Sequence, residues 1–147
     1  ISNGDDFFAH SPDEGQNWER LDSKFNFPTT NGMYESPFEE LFIQTGKIEG
    51  IEKSEDWGQT WTPVTANGLI INSVAVHPNG DYFAGTRHPD WGLYRSTDKG
   101  VTWTDITPAT VYGQMQNISI TPEGTLLSAD REYLLRSEDL GQTWESL

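Results

Sequence analysis

The five consecutive residues Arg87-His88-Pro89-Asp90-Trp91 have the greatest capacity for chemistry in the chain. They bring together a cation, an imidazole, a carboxylate and a large aromatic ring. An aromatic ring beside polar groups suits sugar recognition, because the ring stacks on the apolar face of a sugar while the polar groups bind its hydroxyls. The alternative is an ordinary loop whose Trp91 packs between structural units.

Two other segments carry charged and aromatic residues that suit the same site. The complete set of candidate ligand-binding residues is Arg87, His88, Asp90, Trp91, Tyr112, Asp130, Arg131 and Tyr133. None of them is assigned a catalytic role. We expect no metal and no cofactor, since the three histidines lie in separate segments and show no metal-ligand spacing.

The elements that must position this site are repeats. An octapeptide of the form Ser-x-Asp-x-Gly-x-(Thr/Asn)-Trp starts at residues 11, 54, 96 and 137, so the spacings are 43, 42 and 41 residues. A period of this length is typical of a β-propeller, in which each repeat is a blade of four strands. The shared residues are Ser11, Asp13, Gly15, Trp18, Ser54, Asp56, Gly58, Trp61, Ser96, Asp98, Gly100, Trp103, Ser137, Asp139, Gly141 and Trp144.

Each octapeptide is predicted to be a tight turn that stabilises the fold. Its Asp can accept hydrogen bonds from backbone N–H groups, and its Gly supplies the positive φ that a tight turn needs. The Trp can lay its ring over the turn. Calcium binding is the alternative, but it needs more oxygen ligands than one Asp per copy supplies.

The residues that flank the octapeptides repeat as well. A residue that is basic or can become basic precedes each Ser: His10, Lys53, Arg95 and Arg136. An apolar residue follows each Trp by three positions: Leu21, Val64, Ile106 and Leu147. These regularities indicate one hairpin that is built four times.

The predicted fold class is all-β, with a single β-propeller segment of four-stranded antiparallel blades over residues 1–147. Complete blades are expected at 32–64, 72–106 and 117–147, and a partial blade at 1–21. Propellers close with 4–8 blades, whereas this count is about three and a half. The chain is therefore part of a larger ring, or half of a seven-bladed ring that a second copy completes, or a four-bladed ring completed by N-terminal residues.

In a propeller, the links between blades and the loops between second and third strands lie on one face. The octapeptide turns lie on the opposite face. All the candidate ligand-binding residues belong to the first group of loops, where ligands of propellers usually bind over the central channel.

The octapeptide resembles the Asp-box, or BNR repeat, of sialidases, xyloglucan-active glycoside hydrolases, sortilin-type receptors, photosystem II assembly factors and many secreted bacterial propellers. The four matches at blade spacing cover essentially the whole chain. The resemblance implies a β-propeller in which the box is a structural turn remote from the active face. Hydrolases and non-catalytic binders share this repeat, so the fold does not determine the function.

The residues favour a binder over an enzyme. Sialidases of this repeat class use an arginine triad, and of the five arginines only Arg87 and Arg131 lie in suitable loops. A xyloglucanase-like site would need two carboxylates across a cleft, and the sequence does not pair the available acids. We therefore predict a non-catalytic module that binds a protein or glycan partner. The alternative is a fragment of a secreted glycoside hydrolase, sialidase-like or xyloglucanase-like.

The composition limits the classes of partner that the chain can bind and the cellular compartments in which it is expected. A formal net charge of −14 argues against binding to nucleic acid or to an anionic membrane, because phosphates would be repelled. There is no cysteine, hence no disulfide framework. No apolar run is long enough to span a membrane. We expect a secreted, periplasmic or cell-surface bacterial protein, with the opening at Ile1 within a repeat consistent with a removed leader or a longer N-terminus.

Overall fold

Fourteen β-strands form the regular structure of the computed structural model, which describes residues 8–21, 30–45, 50–64, 68–87, 91–109, 115, 117–129, 132 and 134–147. These residues contain no helix. The strands are β1 (Phe8–His10), β2 (Glu19–Leu21), β3 (Thr30–Glu35), β4 (Leu41–Thr45), β5 (Ile51–Ser54), β6 (Thr62–Pro63), β7 (Ile70–Val76), β8 (Tyr82–Arg87), β9 (Leu93–Ser96), β10 (Thr104–Asp105), β11 (Asn117–Ile120), β12 (Leu126–Ala129), β13 (Leu134–Ser137) and β14 (Glu145–Ser146).

The strands form three four-stranded antiparallel sheets and one two-stranded sheet. Each large sheet follows chain order, so the second blade is β3 to β6, the third is β7 to β10 and the fourth is β11 to β14. The first blade consists of β1 and β2, which correspond to the third and fourth strands of the others. The predicted all-β fold with antiparallel blades, about three and a half in number, is confirmed.

The innermost strands of the second and third blades begin earlier than the sequence predicts. β3 begins at Thr30 and β7 at Ile70, against predicted blade starts at residues 32 and 72. The pairing register shifts between Thr30 and Gly32, and again between Ile71 and Ser73. Such bulges break the two-residue alternation of a strand. The alternating sequence pattern that predicts a strand therefore starts only after the bulge.

The octapeptide turn of the third blade is held together by its own side chains. Asp98 Oδ1 accepts hydrogen bonds from Ser96 Oγ at 2.7 Å and from the Thr102 N–H at 2.8 Å, and its Oδ2 accepts from Thr102 Oγ1 at 2.6 Å. Ser96 Oγ in turn accepts from the Gly100 N–H at 2.8 Å. Trp103 Nε1 donates to Gly100 O at 3.1 Å, which places the indole over the turn. These contacts explain why the Ser, Asp, Gly, Thr and Trp positions recur together.

The other copies repeat this network with two departures. In the first copy Asn17 takes the place of Thr, and both its backbone and its side-chain amide donate to Asp13. In the fourth copy Trp144 Nε1 donates to Ile106 O of the preceding blade at 3.1 Å instead of to its own turn.

The residue before each octapeptide Gly is also left-handed, with φ between 57° and 61°: Glu14, Trp57, Lys99 and Leu140. Sequence reasoning assigned positive φ to the Gly alone.

A second turn repeats between the first and second strands of the complete blades. In each copy the first residue donates its N–H to the carbonyl of the fifth residue, at 2.8 to 3.0 Å. The three turns run from residue 36 to 40, from 77 to 81 and from 121 to 125, and their fifth residues are Glu40, Asp81 and Thr125.

Neighbouring blades meet where an octapeptide glycine lies against the preceding blade. Val64, which follows the second octapeptide, has its Cγ1 3.3 Å from where a Cβ on Gly100 would stand. Ile106, which follows the third, would have its Cδ1 2.5 Å from a Cβ on Gly141. A Cβ would clash with Ile106 at Gly141 and would be tightly packed against Val64 at Gly100, so these glycines favour close blade stacking as well as the positive φ of the turn.

The hydrophobic core lies between blades in two clusters. Between the second and third blades, Phe42 and Tyr82 meet edge to face with ring centroids 5.5 Å apart. Between the third and fourth blades, Phe83 and Leu93 are fully buried against Leu126. Each cluster is shared by two blades, so the core of the described residues lies between blades.

An ion pair between a buried carboxylate and an exposed lysine reinforces the contact between the second and third blades. The carboxylate of Glu40 is buried and accepts from Lys99 Nζ at 3.0 Å and from Ser36 Oγ at 3.2 Å. The hydrogen bond and charge of Glu40 raise the pKa of Lys99. Burial and, secondarily, the nearby Glu40 carboxylate raise the pKa of Tyr82, whose hydroxyl makes no hydrogen bond of good geometry among the described residues.

Two glycine substitutions separate blade stacking from backbone strain. Gly80→Ala, at φ +94° with nothing within 4 Å of a new Cβ, should lower the free energy of unfolding by about 1–2 kcal/mol from strain alone. Gly141→Ala, at φ +85° and facing Ile106, should lower the free energy of unfolding by about 1–3 kcal/mol more than Gly80→Ala does, because the new Cβ overpacks the contact. Urea unfolding of both variants measures the difference. Equal losses would contradict the proposed role of Gly141 in blade stacking.

The octapeptide carboxylates should make the fold sensitive to acid. Hydrogen bonds from the side chain and backbone of Thr102 lower the pKa of Asp98 from its usual 3.8 to about 2. A lowered folded-state pKa contributes stability above pH 3.8, and this contribution is lost as the pH falls towards 2. Thermal melting of the wild type and of Asp98→Asn should therefore differ most above pH 4 and converge near pH 2. A constant difference in Tm across that range would contradict this linkage.

Candidate functional site

Of the predicted ligand-binding residues, Arg87 and Trp91 lie in the described part of the chain. Arg87 ends β8 and pairs across the sheet with Ile70 at the start of β7. It makes no ion pair with another described residue. Trp91 is half-buried just before β9. The remaining candidates lie outside the described residues: His88, Asp90, Tyr112, Asp130, Arg131 and Tyr133.

The segment that carries Arg87 and Trp91 is fixed at its base by a buried threonine. The backbone N–H and the hydroxyl of Thr86 both donate to Gly92 O, at 3.0 and 3.3 Å. Gly92 lies so close to Thr107 that a Cβ would stand 2.5 Å from its hydroxyl oxygen. The same closure recurs in the second blade, where Thr45 donates to Gly50 O. The blade therefore holds both ends of this loop in place.

A groove of ≈ 230 Å³ opens among the inner strands of the three complete blades. It crosses the middle of β7 and includes Asn117 at the start of β11 and Gln44 near the end of β4, which lie at the end of the blades that carries Arg87. Its lining residues are Gly32, Met33, Tyr34, Phe42, Ile43, Gln44, Ile51, Asn72, Ser73, Val74 and Asn117. None of these residues is acidic or basic, although the whole chain has a net charge of −14.

The groove combines an apolar floor with side-chain amides. Gln44 Nε2 donates to Asn72 Oδ1 at 3.3 Å, which links the second blade to the third. Asn117 adds another amide from the fourth blade, and Met33 is 58 % exposed on the innermost strand of the second. Amides both donate and accept hydrogen bonds, so the lining can bind a neutral polar backbone without charge pairing.

Hydroxyl groups hold the inner strands around the groove. Tyr34 Oη accepts from the Val76 N–H at 3.3 Å, and Ser73 Oγ accepts from the Ile118 N–H at 3.1 Å. Each bond satisfies a backbone donor on the inner edge of one blade with a side chain of the preceding blade. Burial raises the pKa of Tyr34, so its hydroxyl stays neutral at physiological pH.

Sequence reasoning missed this groove. It placed the candidate site in loops between second and third strands and in the inter-blade links, where charged and aromatic residues are conspicuous. The groove residues are uncharged and come from three repeats. The available signal was the amide or small residue near the start of each inner strand: Gly32, Asn72 and Asn117.

No protein-family model matches the chain, and no curated protein matches it in sequence. Solved structures do match. YCF48 bound to a D1 peptide superposes with a TM-score of 0.58 at 20% identity, over 96% of this chain and 47% of that one. YCF48 from Cyanidioschyzon merolae gives 0.61 at 19% identity, over 83% of this chain and 38% of that one. The chain has a β-propeller fold.

A further similar propeller is an enzyme. Selenomethionine-substituted virginiamycin B lyase from Staphylococcus aureus superposes with a TM-score of 0.59 at 17% identity, over 80% of this chain and 40% of that one. The chain thus spans less than half the length of these three proteins. Because both a lyase and a peptide-bound protein share the fold, the similarity does not determine whether this β-propeller is catalytic.

The described residues contain no helix that is long and apolar enough to cross a membrane. No group of three or more His, Asp or Glu side chains in the described segments is placed to hold a metal ion.

A pair of serine substitutions tests how the groove is held together. Ser73→Ala should lower the free energy of unfolding by about 1–3 kcal/mol, because it leaves the buried Ile118 N–H without its acceptor. Ser119→Ala, on an exposed position of the neighbouring strand, should change it by less than about 0.5 kcal/mol. Chemical denaturation provides the comparison, and a neutral Ser73→Ala would show that this bond does not hold β7 to β11.

Proposed function

We propose that this propeller is a non-catalytic module that binds an extended segment of a partner protein in the groove between its inner strands. The single observation that carries the proposal is the groove itself, with its apolar floor, its amides and its lack of charged lining residues. At ≈ 230 Å³ it is smaller than the roughly 300–1,000 Å³ of sites that enclose a small molecule. A peptide would insert one or two side chains and leave the rest of its length outside.

The edges of the inner strands support a peptide ligand. β3, β7 and β11 each stand at the end of their sheet and pair with one neighbour only. Their other edges offer backbone N–H and C=O groups, some of which are satisfied by the Tyr34 and Ser73 hydroxyls. An extended peptide can pair with such groups while its alternate side chains enter pockets. The YCF48 structure bound to a D1 peptide is a precedent for peptide binding by a protein of this fold.

The charge of the chain favours a cationic partner. A net charge of −14 raises the association rate of positively charged segments and slows that of acidic ones. Since the groove lining is neutral, we expect positive residues to flank the inserted part of the peptide and hydrophobic or amide residues to fill the groove.

Selection from a random peptide library followed by calorimetry tests the proposal. Selected peptides should be enriched in Lys and Arg. Met33→Asp should weaken their binding at least about tenfold, since it puts a charge on the apolar edge of the groove. The matched control is Val101→Asp, because Val101 is a 73 % exposed apolar residue of an octapeptide turn. Equal effects of the two variants, or no selected peptide, would overturn the proposal.

The second candidate function is glycan binding, which Arg87 and the half-buried Trp91 favour, since a cation and an indole lie close together in the sequence. A fragment of a glycoside hydrolase, the alternative function, would also bind a glycan. On a glycan array, binding that Trp91→Ala abolishes would support this candidate, and hydrolysis of a bound glycan would support the enzyme. Absence of binding to every glycan and polysaccharide would exclude both for this chain.

A further inference from the structure

We propose that two turns at the junction of the second and third blades form a second interaction surface, which binds a partner protein through an apolar side chain set among lysine and arginine residues of that partner. This surface, the turn patch, consists of Phe38, Glu39 and Val101. It lies at the end of the blades opposite to Arg87, because Arg87 ends β8 whereas these turns precede β4 and follow β9. The turn patch shares no residue with the groove, so the inference does not depend on peptide binding there.

Two neighbouring turns form the turn patch. Phe38 belongs to the turn between the first and second strands of the second blade, and Val101 belongs to the octapeptide turn of the third. Lys99 Nζ lies 3.0 Å from Glu40 Oε1, so an ion pair joins the two turns. Phe38 is two residues from Glu40, and Val101 is two residues from Lys99. The two apolar residues therefore stand on adjoining turns of one surface.

The apolar residues of the turn patch are exposed to solvent. Phe38 is 48 % exposed and Val101 is 73 % exposed. Their exposure does not come from the ends of the chain, because both turns lie at the junction of two complete blades. The equivalent residues of the other copies are exposed as well: Gln16, Gln59, Asn79, Glu123 and Gln142.

The repeats show that the fold does not need apolar residues at these positions. Asn79 and Glu123 stand at the position of Phe38 in the third and fourth blades, and every other octapeptide has Gln at the position of Val101. The junction of the third and fourth blades thus carries the polar pair Asn79 and Gln142 at the same two positions. Exposed apolar residues confined to one junction of a repeated structure indicate a surface that a partner covers.

Glu39 gives the turn patch its charge. It has a φ of 63°, where the equivalent residues Gly80 and Gly124 have a φ of 94°. A non-glycine residue in this conformation is uncommon and strained, and such strain clusters at functional sites. The Glu39 side chain is exposed and makes no ion pair with another described residue, whereas the charge of Lys99 is balanced by Glu40. The turn patch therefore carries an unbalanced negative charge.

This charge discriminates between the possible occupants. A second copy that met the first through the same patch would bring two Glu39 carboxylates together, and an anionic membrane would be repelled by the net charge of −14. Lysine or arginine of a partner would instead pair with Glu39, while an apolar side chain of that partner covers Phe38 and Val101. A basic protein surface is thus the occupant that the charges favour.

Peptide selection on the Met33→Asp protein tests the inference, because this substitution disables the groove and leaves the turn patch intact. Peptides selected from a random library should carry an aromatic or aliphatic residue next to Lys or Arg. Adding the triple substitution Phe38→Asn, Glu39→Gly and Val101→Gln should weaken their binding about tenfold to a hundredfold in calorimetry. Each new residue occupies the equivalent position in another blade, so the variant should fold normally, which thermal melting checks.

Leu134→Gln is the matched control. Leu134 is 46 % exposed, close to the exposure of Phe38, and lies in the fourth blade. Its substitution should leave the affinity of the selected peptides unchanged. No selected peptide, or equal effects of Leu134→Gln and the triple substitution, would overturn the inference.

Two further comparisons separate the turn patch from other contacts. If light scattering shows a wild-type dimer that the triple substitution abolishes, a second copy occupies the patch and the assignment to a basic partner is wrong. In the wild-type background, a groove peptide should respond to Met33→Asp and not to the triple substitution, and a peptide of the turn patch should show the reverse. Failure of one site is therefore distinguishable from failure of the other.

Discussion

The contact between an octapeptide glycine and the last apolar side chain of the preceding blade determines how the blades stack. A Cβ at Gly141 would stand 2.5 Å from Ile106, and one at Gly100 would stand 3.3 Å from Val64. Since each hydrophobic cluster is shared by two blades, the core forms only when these contacts bring the sheets together. The same stacking brings β3, β7 and β11 side by side and so creates the groove between them. The turns on one face thus shape a site on the other.

The structure also explains what the acid of each octapeptide does. Both carboxylate oxygens of Asp98 are occupied by donors of its own turn, Ser96 and Thr102. Few lone pairs remain for a cation, and the lowered pKa follows from these hydrogen bonds. The carboxylate organises the turn and thereby places the glycine that the preceding blade requires.

The sequence predicted the repeated parts of the fold well, because each is local. The octapeptides marked four hairpins, and the structure contains all four, each between two paired strands. The bulge before Ser73 was not predictable, since a single extra residue leaves no pattern. The positive φ of Lys99 was also missed, because no general preference of lysine indicates it.

The candidate site was harder to predict because it depends on contacts between repeats. Gln44 and Asn72 are neighbours only through stacking of two blades, and neither residue suggests a site by itself. Charged and aromatic residues drew attention to the loop at Trp91, whose Arg87 lies at the same end of the blades as the groove. A resemblance of the octapeptides to the Asp-box stays a prediction about family, whereas the propeller fold is established by structure.

Hydrogen–deuterium exchange on the complex with a selected peptide shows which residues the peptide covers. Exchange should slow in residues 32–34, 72–74 and 117, which line the groove, and stay unchanged in the octapeptide turn at 96–103. Protection centred on the octapeptide turns, with the inner strands unaffected, would contradict the assignment of binding to the groove.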